Sequence, residues 1–111
     1  MEPSVRDIAH RYAARRQAVL DRVREVIIVA ARLPLEPEDI DPDTGLFGTG
    51  LGLDSIDGLE IVVSLEQAFG VSLADEGRGP ALALRTVNTV VDRLMPQIPD
   101  PLPASPAGGA L

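Results

Sequence analysis

The sequence predicts an all-α fold, a small bundle of three to four helices with a long loop between the first and second main helices. Three observations support this prediction. Apolar residues recur at helical spacing in three separate segments. Each segment is followed by a proline or a glycine, residue types that commonly end helices. No stretch shows the sustained alternation of apolar and polar residues that is typical of a half-buried strand.

The first helix is predicted from about Val5 to Leu33, either continuous or broken near Arg15-Arg16. Ser4 stands where a capping residue is needed at its start, and Pro34 ends it. The second half of this segment contains most of its helically spaced apolar residues, which are Val19, Leu20, Val23, Val26, Ile27, Ala30 and Leu33. Upstream, Val5, Ile8 and Tyr12 continue the same period.

A long connection, residues 34–54, follows this helix and contains four glycines and three prolines. It also contains four large apolar side chains, those of Leu46, Phe47, Leu51 and Leu53. Connections of this length are usually either functional or disordered. The apolar residues favour an ordered loop that packs on the core.

The second helix is predicted from about Ser55 to Phe69, because Gly70 is a suitable residue to follow a helix end. The last helix runs from about Thr86, which can cap it, to Met95. Residues 72–84 between them are ambiguous, since Gly77, Gly79 and Pro80 interrupt a short helical pattern.

Charge and composition divide the 111-residue chain into three parts. These parts are residues 1–33, residues 34–95 and residues 96–111, the last of which form a proline-rich tail that we predict to be disordered. Residues 1–33 contain seven arginines and four acids, a charge of +3. Residues 34–95 contain three arginines and twelve acids, a charge of −9. The total of −7 thus conceals a basic helix before an acidic body.

The inventory of side chains excludes several classes of chemistry. The chain has no cysteine and no lysine, and His10 is its one histidine. A thiolate nucleophile, a Schiff-base lysine and a histidine-rich metal site are therefore excluded. No apolar run is long enough to span a bilayer, and the start lacks a secretory signal. Net negative charge argues against binding to nucleic acid. We expect a cytoplasmic monomer without a catalytic centre of its own.

Ser55 is the residue of greatest interest, because a glycine-rich loop becomes a helix there. One interpretation is that Asp54 or Ser55 only caps the helix. Catalysis by Ser55 would need an adjacent base, which neither His10 nor an exposed carboxylate supplies. A phosphodiester on Ser55, however, would lie at a helix N-terminus, where free N–H groups favour negative charge.

The second helix is apolar over roughly 240° of its circumference, which is more than one core contact requires. Ile56 and Val63 form the surplus, beside Glu60. This pattern fits a docking surface for a partner. It equally fits a helix that is buried on two sides in a small bundle.

The residues around Ser55 resemble those of the acyl carrier proteins. That family has Asp-Ser-Leu/Ile at the start of its second helix and an acid five residues after the serine. Here the corresponding residues are Asp54, Ser55, Ile56 and Glu60. The segment LFGTGLGLDS before the serine, the sequence Phe69-Gly70-Val71 and the closing helix are also similar, so the resemblance covers about residues 19–95. It implies a bundle at residues 19–95 that follows an arginine-rich helical extension at residues 1–18.

The resemblance implies that Ser55 receives 4′-phosphopantetheine from a phosphopantetheinyl transferase, and that the thiol of this arm carries acyl groups as thioesters. It implies a partner-docking side made of Asp54, Ile56, Asp57, Glu60 and Val63. It also implies a lining for the acyl chain, made of Leu59, Val62, Leu65 and Phe69, for which core packing is an equally valid interpretation. The partners would be an acyltransferase or acyl ligase, a ketosynthase and other acyl-processing enzymes.

Three features depart from the family pattern: the arginine-rich extension, the Gly77–Pro80 region and the proline-rich tail. They favour a free-standing carrier of a polyketide or fatty-acid-like pathway. A peptidyl or aminoacyl carrier and an unmodified helical adaptor are the alternatives. Arg6, Arg11, Arg15 and Arg16 form either a docking surface or a solvated helix face.

Overall fold

The computed structural model of the chain describes residues 4–73 and 84–98. Three α-helices form the described fold: α1 at Val5–Ala31, α2 at Ser55–Phe69 and α3 at Val87–Leu94. A short 3₁₀ turn, Pro37–Asp39, lies in the loop between α1 and α2. The described residues contain no strand, only one isolated bridge between Phe47 and Leu53. The all-α class predicted from the sequence is confirmed.

Helix α1 is continuous over its 27 residues, a length of about 40 Å. Ser4 caps it by accepting a hydrogen bond from the Asp7 backbone N–H at 3.1 Å, as the sequence predicts. It ends at Arg32, whose φ of 54° is left-handed. Its buried residues begin only at Val19, so the first half of α1 extends past the core.

Helices α2 and α3 also begin and end at the residues that the sequence singles out. Gly70 ends α2 with a φ of 67°. Thr86 caps α3 by accepting a hydrogen bond from the Thr89 backbone N–H at 3.1 Å. Since α1 packs against both α2 and α3, one face of its C-terminal half supplies the middle of the bundle.

The core combines residues of all three helices with residues of the connecting segments. Its fully buried large side chains are Val19, Val23, Ile27, Ile40, Leu46, Ile61, Leu65, Leu73, Leu84, Val87, Val90 and Leu94. Ile98 is also buried, in a turn after α3 in which its N–H donates to the Leu94 carbonyl at 3.2 Å. The folded part therefore continues three residues past the boundary at Met95 that the sequence suggests.

Two predictions concern segments that the structure does not describe in full. The ambiguous residues 74–83 lie outside the described residues, although Leu73 and Leu84 on either side are buried. Residues 99–111, most of the proline-rich tail, also lie outside them.

Candidate functional site

The loop that precedes α2 is ordered and anchored at both ends. The Leu46 N–H donates to the Arg85 carbonyl at 3.0 Å, which ties the loop to the start of α3. The Leu53 N–H donates to the Leu46 carbonyl at 3.1 Å, which brings the two ends of the loop together. Leu46 and Leu53 are both buried. The prediction of an ordered loop packed on the core is confirmed.

Glycine is required at two positions in this loop. A Cβ on Gly50 would lie 1.7 Å from the Gly45 carbonyl oxygen, which is far inside van der Waals contact. That same oxygen accepts a hydrogen bond from the Leu51 N–H at 2.9 Å, so the tight approach belongs to the fold of the loop. Gly52 has a φ of 74°, a left-handed conformation that favours glycine. The glycines thus let the chain turn sharply just before Ser55.

The cap of α2 is Asp54, and Ser55 is the first helical residue. The Asp54 carboxylate accepts a hydrogen bond from the Asp57 N–H at 2.9 Å. The Asp57 carboxylate in turn accepts one from the Asp54 N–H at 3.0 Å, which completes a reciprocal capping box. Of the two capping residues that the sequence left open, Asp54 takes the role. Ser55 is exposed beside it.

The capping box also sets the charge at this helix start. The hydrogen bond from the Asp57 backbone N–H lowers the pKa of the Asp54 carboxyl below its ordinary value of 3.8. Hydrogen bonds from the backbone N–H groups of Ile56 and Asp54 act in the same direction, while desolvation opposes them. Asp54 is therefore ionised at neutral pH, next to the exposed serine.

One turn after Ser55, Gly58 allows the loop to approach the helix closely. Gly58 is buried, and a Cβ there would lie 3.0 Å from Cζ and 3.1 Å from Cε1 of the Phe47 ring. A glycine inside a helix lowers its stability relative to alanine. Here the missing side chain makes room for Phe47, which holds the loop against α2. The sequence did not indicate this contact, because the two positions are separated by an irregular stretch of chain.

Helix α2 has two apolar faces. Ile61, Val62, Leu65 and Phe69 are buried on one of them. Ile56, Leu59 and Val63 lie on the other, where they are 67%, 63% and 46% exposed. The exposure of Ile56 and Val63 agrees with their position at the edge of the predicted apolar arc. Leu59, which the resemblance places among the lining residues, lies outside the core.

Two acidic residues of α2, Asp57 and Glu60, lie close in sequence to these exposed apolar residues. Glu60 is exposed and Asp57 is half-buried. With Ile56, Leu59 and Val63 they make up an apolar stripe edged by carboxylates. This surface begins at the exposed Ser55 and runs along α2 for about two turns.

The four arginines in the first half of α1 divide into two groups. Arg16 spans to α3, where its Nη1 lies 2.8 Å from an Asp92 carboxylate oxygen and its Nη2 donates to Asn88 Oδ1 at 3.3 Å. Arg15 Nη2 donates to the Ile98 carbonyl at 2.5 Å. Arg6 and Arg11 are exposed. The prediction that these four arginines form a docking surface or a solvated helix face is therefore wrong for Arg15 and Arg16, which hold the bundle together.

Asn88 was not singled out by the sequence, yet it joins three parts of the fold. Besides accepting from Arg16, it donates through Nδ2 to an Asp43 carboxylate oxygen at 2.6 Å. Its backbone N–H donates to the Pro42 carbonyl at 3.0 Å. No local pattern could reveal this role, since its partners are at least 45 residues away.

Residues 4–73 and 84–98 contain no metal site. Within these ranges no group of histidine, aspartate and glutamate side chains could hold a metal ion. His10 is exposed in the first half of α1. Among the described helices, none is both long enough and apolar enough to cross a membrane.

Comparison with known families gives a match over the bundle. Residues 21–94 match the family described as the phosphopantetheine attachment site, which is two thirds of the chain. Two curated acyl carrier proteins support the match. The chain belongs to the acyl carrier protein family. The matched range begins inside α1 and ends with α3, so the first half of α1 lies outside the family domain.

Each relative is identical to this chain at about two fifths of the aligned positions. The acyl carrier protein of Thermosynechococcus vestitus is 38% identical over 74 residues, which is 67% of this chain and 84% of the relative. The acyl carrier protein of Syntrophobacter fumaroxidans is 38% identical over 73 residues, which is 66% of this chain and 85% of the relative. No solved structure matches the chain significantly.

Proposed function

We propose that this carrier protein holds acyl intermediates as thioesters on a 4′-phosphopantetheine arm attached to Ser55. The observation that carries the proposal is the position of Ser55, exposed at the first turn of α2 inside the family domain. Because Asp54 provides the cap, the hydroxyl of Ser55 is not needed to begin the helix. It is therefore available for modification.

The surroundings of Ser55 suit the proposed group. A phosphodiester on its Oγ would lie at the N-terminus of a 15-residue helix, whose N–H groups and dipole favour an anion. The arm supplies the thiol that the cysteine-free chain lacks. The loop held by Leu46 and Leu53 fixes the serine relative to the bundle, so partner enzymes meet it in one orientation.

The proposed docking side comprises Asp54, Ile56, Asp57, Glu60 and Val63. Exposed apolar groups edged by carboxylates suit brief contacts with basic patches on several enzymes, since electrostatic attraction speeds association more than it strengthens binding. We assign Leu59 to this side as well, because it is exposed between Ile56 and Val63. The proposed partners are a phosphopantetheinyl transferase, an acyltransferase or acyl ligase, and a ketosynthase.

The proposed lining for the acyl chain then consists of Val62, Leu65 and Phe69. These side chains are buried on the face of α2 that also contains Gly58. A chain entering from Ser55 would pass the Phe47 ring at Gly58 before it reached them, so movement of this ring would open the path. The cytoplasm, and a fatty-acid-like or polyketide pathway, are the proposed setting.

The experiment for this function combines modification and loading. The chain is incubated with coenzyme A and a broad-specificity phosphopantetheinyl transferase, and the modified protein is then offered acyl and aminoacyl donors. We expect one phosphopantetheine per chain, no modification of Ser55→Ala, and loading with acyl groups. Preferential aminoacyl loading would instead support a peptidyl carrier. A folded chain that several competent transferases leave unmodified would support the unmodified adaptor.

A further inference from the structure

The first half of α1 exposes an apolar stripe with arginines along its edges. Val5, Ile8 and Tyr12 are each more than half exposed, and their spacing of i, i+3 and i+7 places them on one helix face. At 100° per residue, Arg11 lies about 60° to one side of this face, next to Ile8, and Arg6 lies about 100° to the other side, beyond Val5. We call these five residues the basic stripe. The stripe lies outside the family domain, so the carrier fold does not require it.

The exposed stripe on α2 has the same spacing and the opposite charge. Ile56, Leu59 and Val63 also stand at i, i+3 and i+7, and all three are exposed. Asp57 and Glu60 lie beside them. We call these five residues the acidic stripe. The chain thus presents two short apolar stripes, each on a helix, with carboxylates along one and guanidinium groups along the other.

We propose that the basic stripe binds the acidic stripe of a second copy of this chain. The two stripes are complementary in charge, and their identical spacing allows two helix surfaces to place three apolar side chains against three. They cannot meet within one molecule, because both lie on helices of a single packed bundle and both are exposed there. Identical stripes facing each other would place like charges together, which disfavours contacts between two basic or two acidic stripes.

The proposed contact is small and therefore weak. With about three large apolar side chains on each side, it falls below the size of stable interfaces, which bury about 1,200 Å² or more. The net charge of −7 on each copy adds repulsion. We expect a monomer in dilute solution and association at high concentration and low salt. Because the contact covers the side of α2 beside Ser55, a second copy and a partner enzyme would compete for it; this consequence alone rests on the proposed function.

The test uses the full unmodified chain and two charge-reversed variants. Sedimentation equilibrium up to millimolar concentration should show association of the wild-type chain that weakens as salt is added. Arg11→Glu alone and Glu60→Arg alone should each weaken association about threefold or more, because each places like charges together. An equimolar mixture of the two variants should regain it. In the mixture, the carboxylate introduced on the basic stripe of one copy would face the guanidinium introduced on the acidic stripe of the other.

Matched controls separate this contact from a general effect of charge. Arg85→Glu and Glu25→Arg reverse exposed charges outside both stripes and change the net charge by the same amounts. Alone or mixed, they should leave association at the wild-type level. For the apolar part, Tyr12→Ser should weaken association, whereas Val29→Ser, at an exposed position near the other end of α1, should not.

Three results would overturn the proposal. The first is a chain that stays monomeric at every concentration. The second is a mixture of Arg11→Glu and Glu60→Arg that associates no better than either variant alone. The third is a Tyr12 ring that is shielded from solvent to the same extent at every protein concentration, as measured by its NMR signals. That result would assign the stripe to the segment after Ile98, which leaves the described fold beside Arg15.

Discussion

Asp54 and Asp57 cap α2 reciprocally: each carboxylate accepts a hydrogen bond from the backbone N–H of the other, at 2.9 and 3.0 Å. This pair fixes the first turn of the helix on which Ser55 stands. It also assigns distinct roles to neighbours, since Asp54 begins the helix and leaves the serine hydroxyl exposed.

The first prediction concerns acid stability. The pKa of Asp54 is lowered in the folded chain, so its ionisation stabilises the fold fully above pH 3.8, its ordinary pKa. That contribution disappears as the pH falls through the lower pKa of the folded state. Asp54→Asn keeps an acceptor for the cap but does not titrate there. We expect the free energy of unfolding of wild type to fall relative to that of Asp54→Asn as urea titrations are repeated from neutral pH down to about 3.

A constant difference between the two proteins across this range would contradict the assignment. Asp54→Ala serves as the control for the cap itself. It should be less stable than Asp54→Asn at neutral pH, because it removes the acceptor for the Asp57 N–H.

The second prediction concerns the glycines before Ser55. Gly50→Ala places a Cβ 1.7 Å from the Gly45 carbonyl oxygen, so the loop must rearrange. We expect a loss of about 2–3 kcal/mol in the free energy of unfolding. Gly45→Ala is the matched control, because its Cβ would make only an ordinary contact, 3.8 Å from the Phe47 carbonyl oxygen. Equal stabilities in urea titrations would show that the loop does not hold this tight turn.

The third prediction separates the two groups of arginines. Arg16→Met removes the contacts with Asp92 and Asn88 and should lower the free energy of unfolding by about 1 kcal/mol. Arg11→Met, at an exposed position of the same helix, should change it by much less. A double-mutant cycle with Asp92→Asn measures the coupling, which would be zero if Arg16 were merely solvated.

The fourth prediction concerns the proposed docking side. Glu60→Arg should slow modification by a phosphopantetheinyl transferase, mainly by raising KM, because attraction to a basic enzyme surface is replaced by repulsion. Glu25→Arg changes the net charge equally on α1 and should leave the kinetics close to those of wild type. Circular dichroism should show unchanged helicity for both. Identical kinetics for the two variants would remove Glu60 from the docking side.

The features that the sequence predicts well are those decided by neighbouring residues. Ser4, Thr86 and Gly70 act at helix ends through contacts within one or two turns, so local pattern is sufficient. The helical period of α2 separates the exposed Ile56 and Val63 from the buried Leu65 for the same reason. The Asp-Ser pair likewise directs attention to Ser55 from local sequence alone.

The features that the sequence misses depend on distant partners. Arg15 meets the carbonyl of Ile98 and Arg16 meets Asn88, which are 83 and 72 residues away, so their role in the bundle has no local signal. From the sequence alone, Gly58 predicts only a less stable helix. Its role becomes clear from the Phe47 ring, which packs against it. Leu59 lies near the boundary between two faces, where the period alone does not decide which face it joins.

The central claim is that Ser55 carries the phosphopantetheine arm, and intact-mass measurement with site mapping tests it most directly. Wild type, Ser55→Ala and the control Ser64→Ala are each incubated with coenzyme A and a transferase. Ser64 lies on the same helix and is half-buried. The account predicts one added phosphopantetheine on wild type and on Ser64→Ala, mapped to Ser55, and none on Ser55→Ala. Modification of a folded Ser55→Ala, or mapping of the group to another residue, would contradict it.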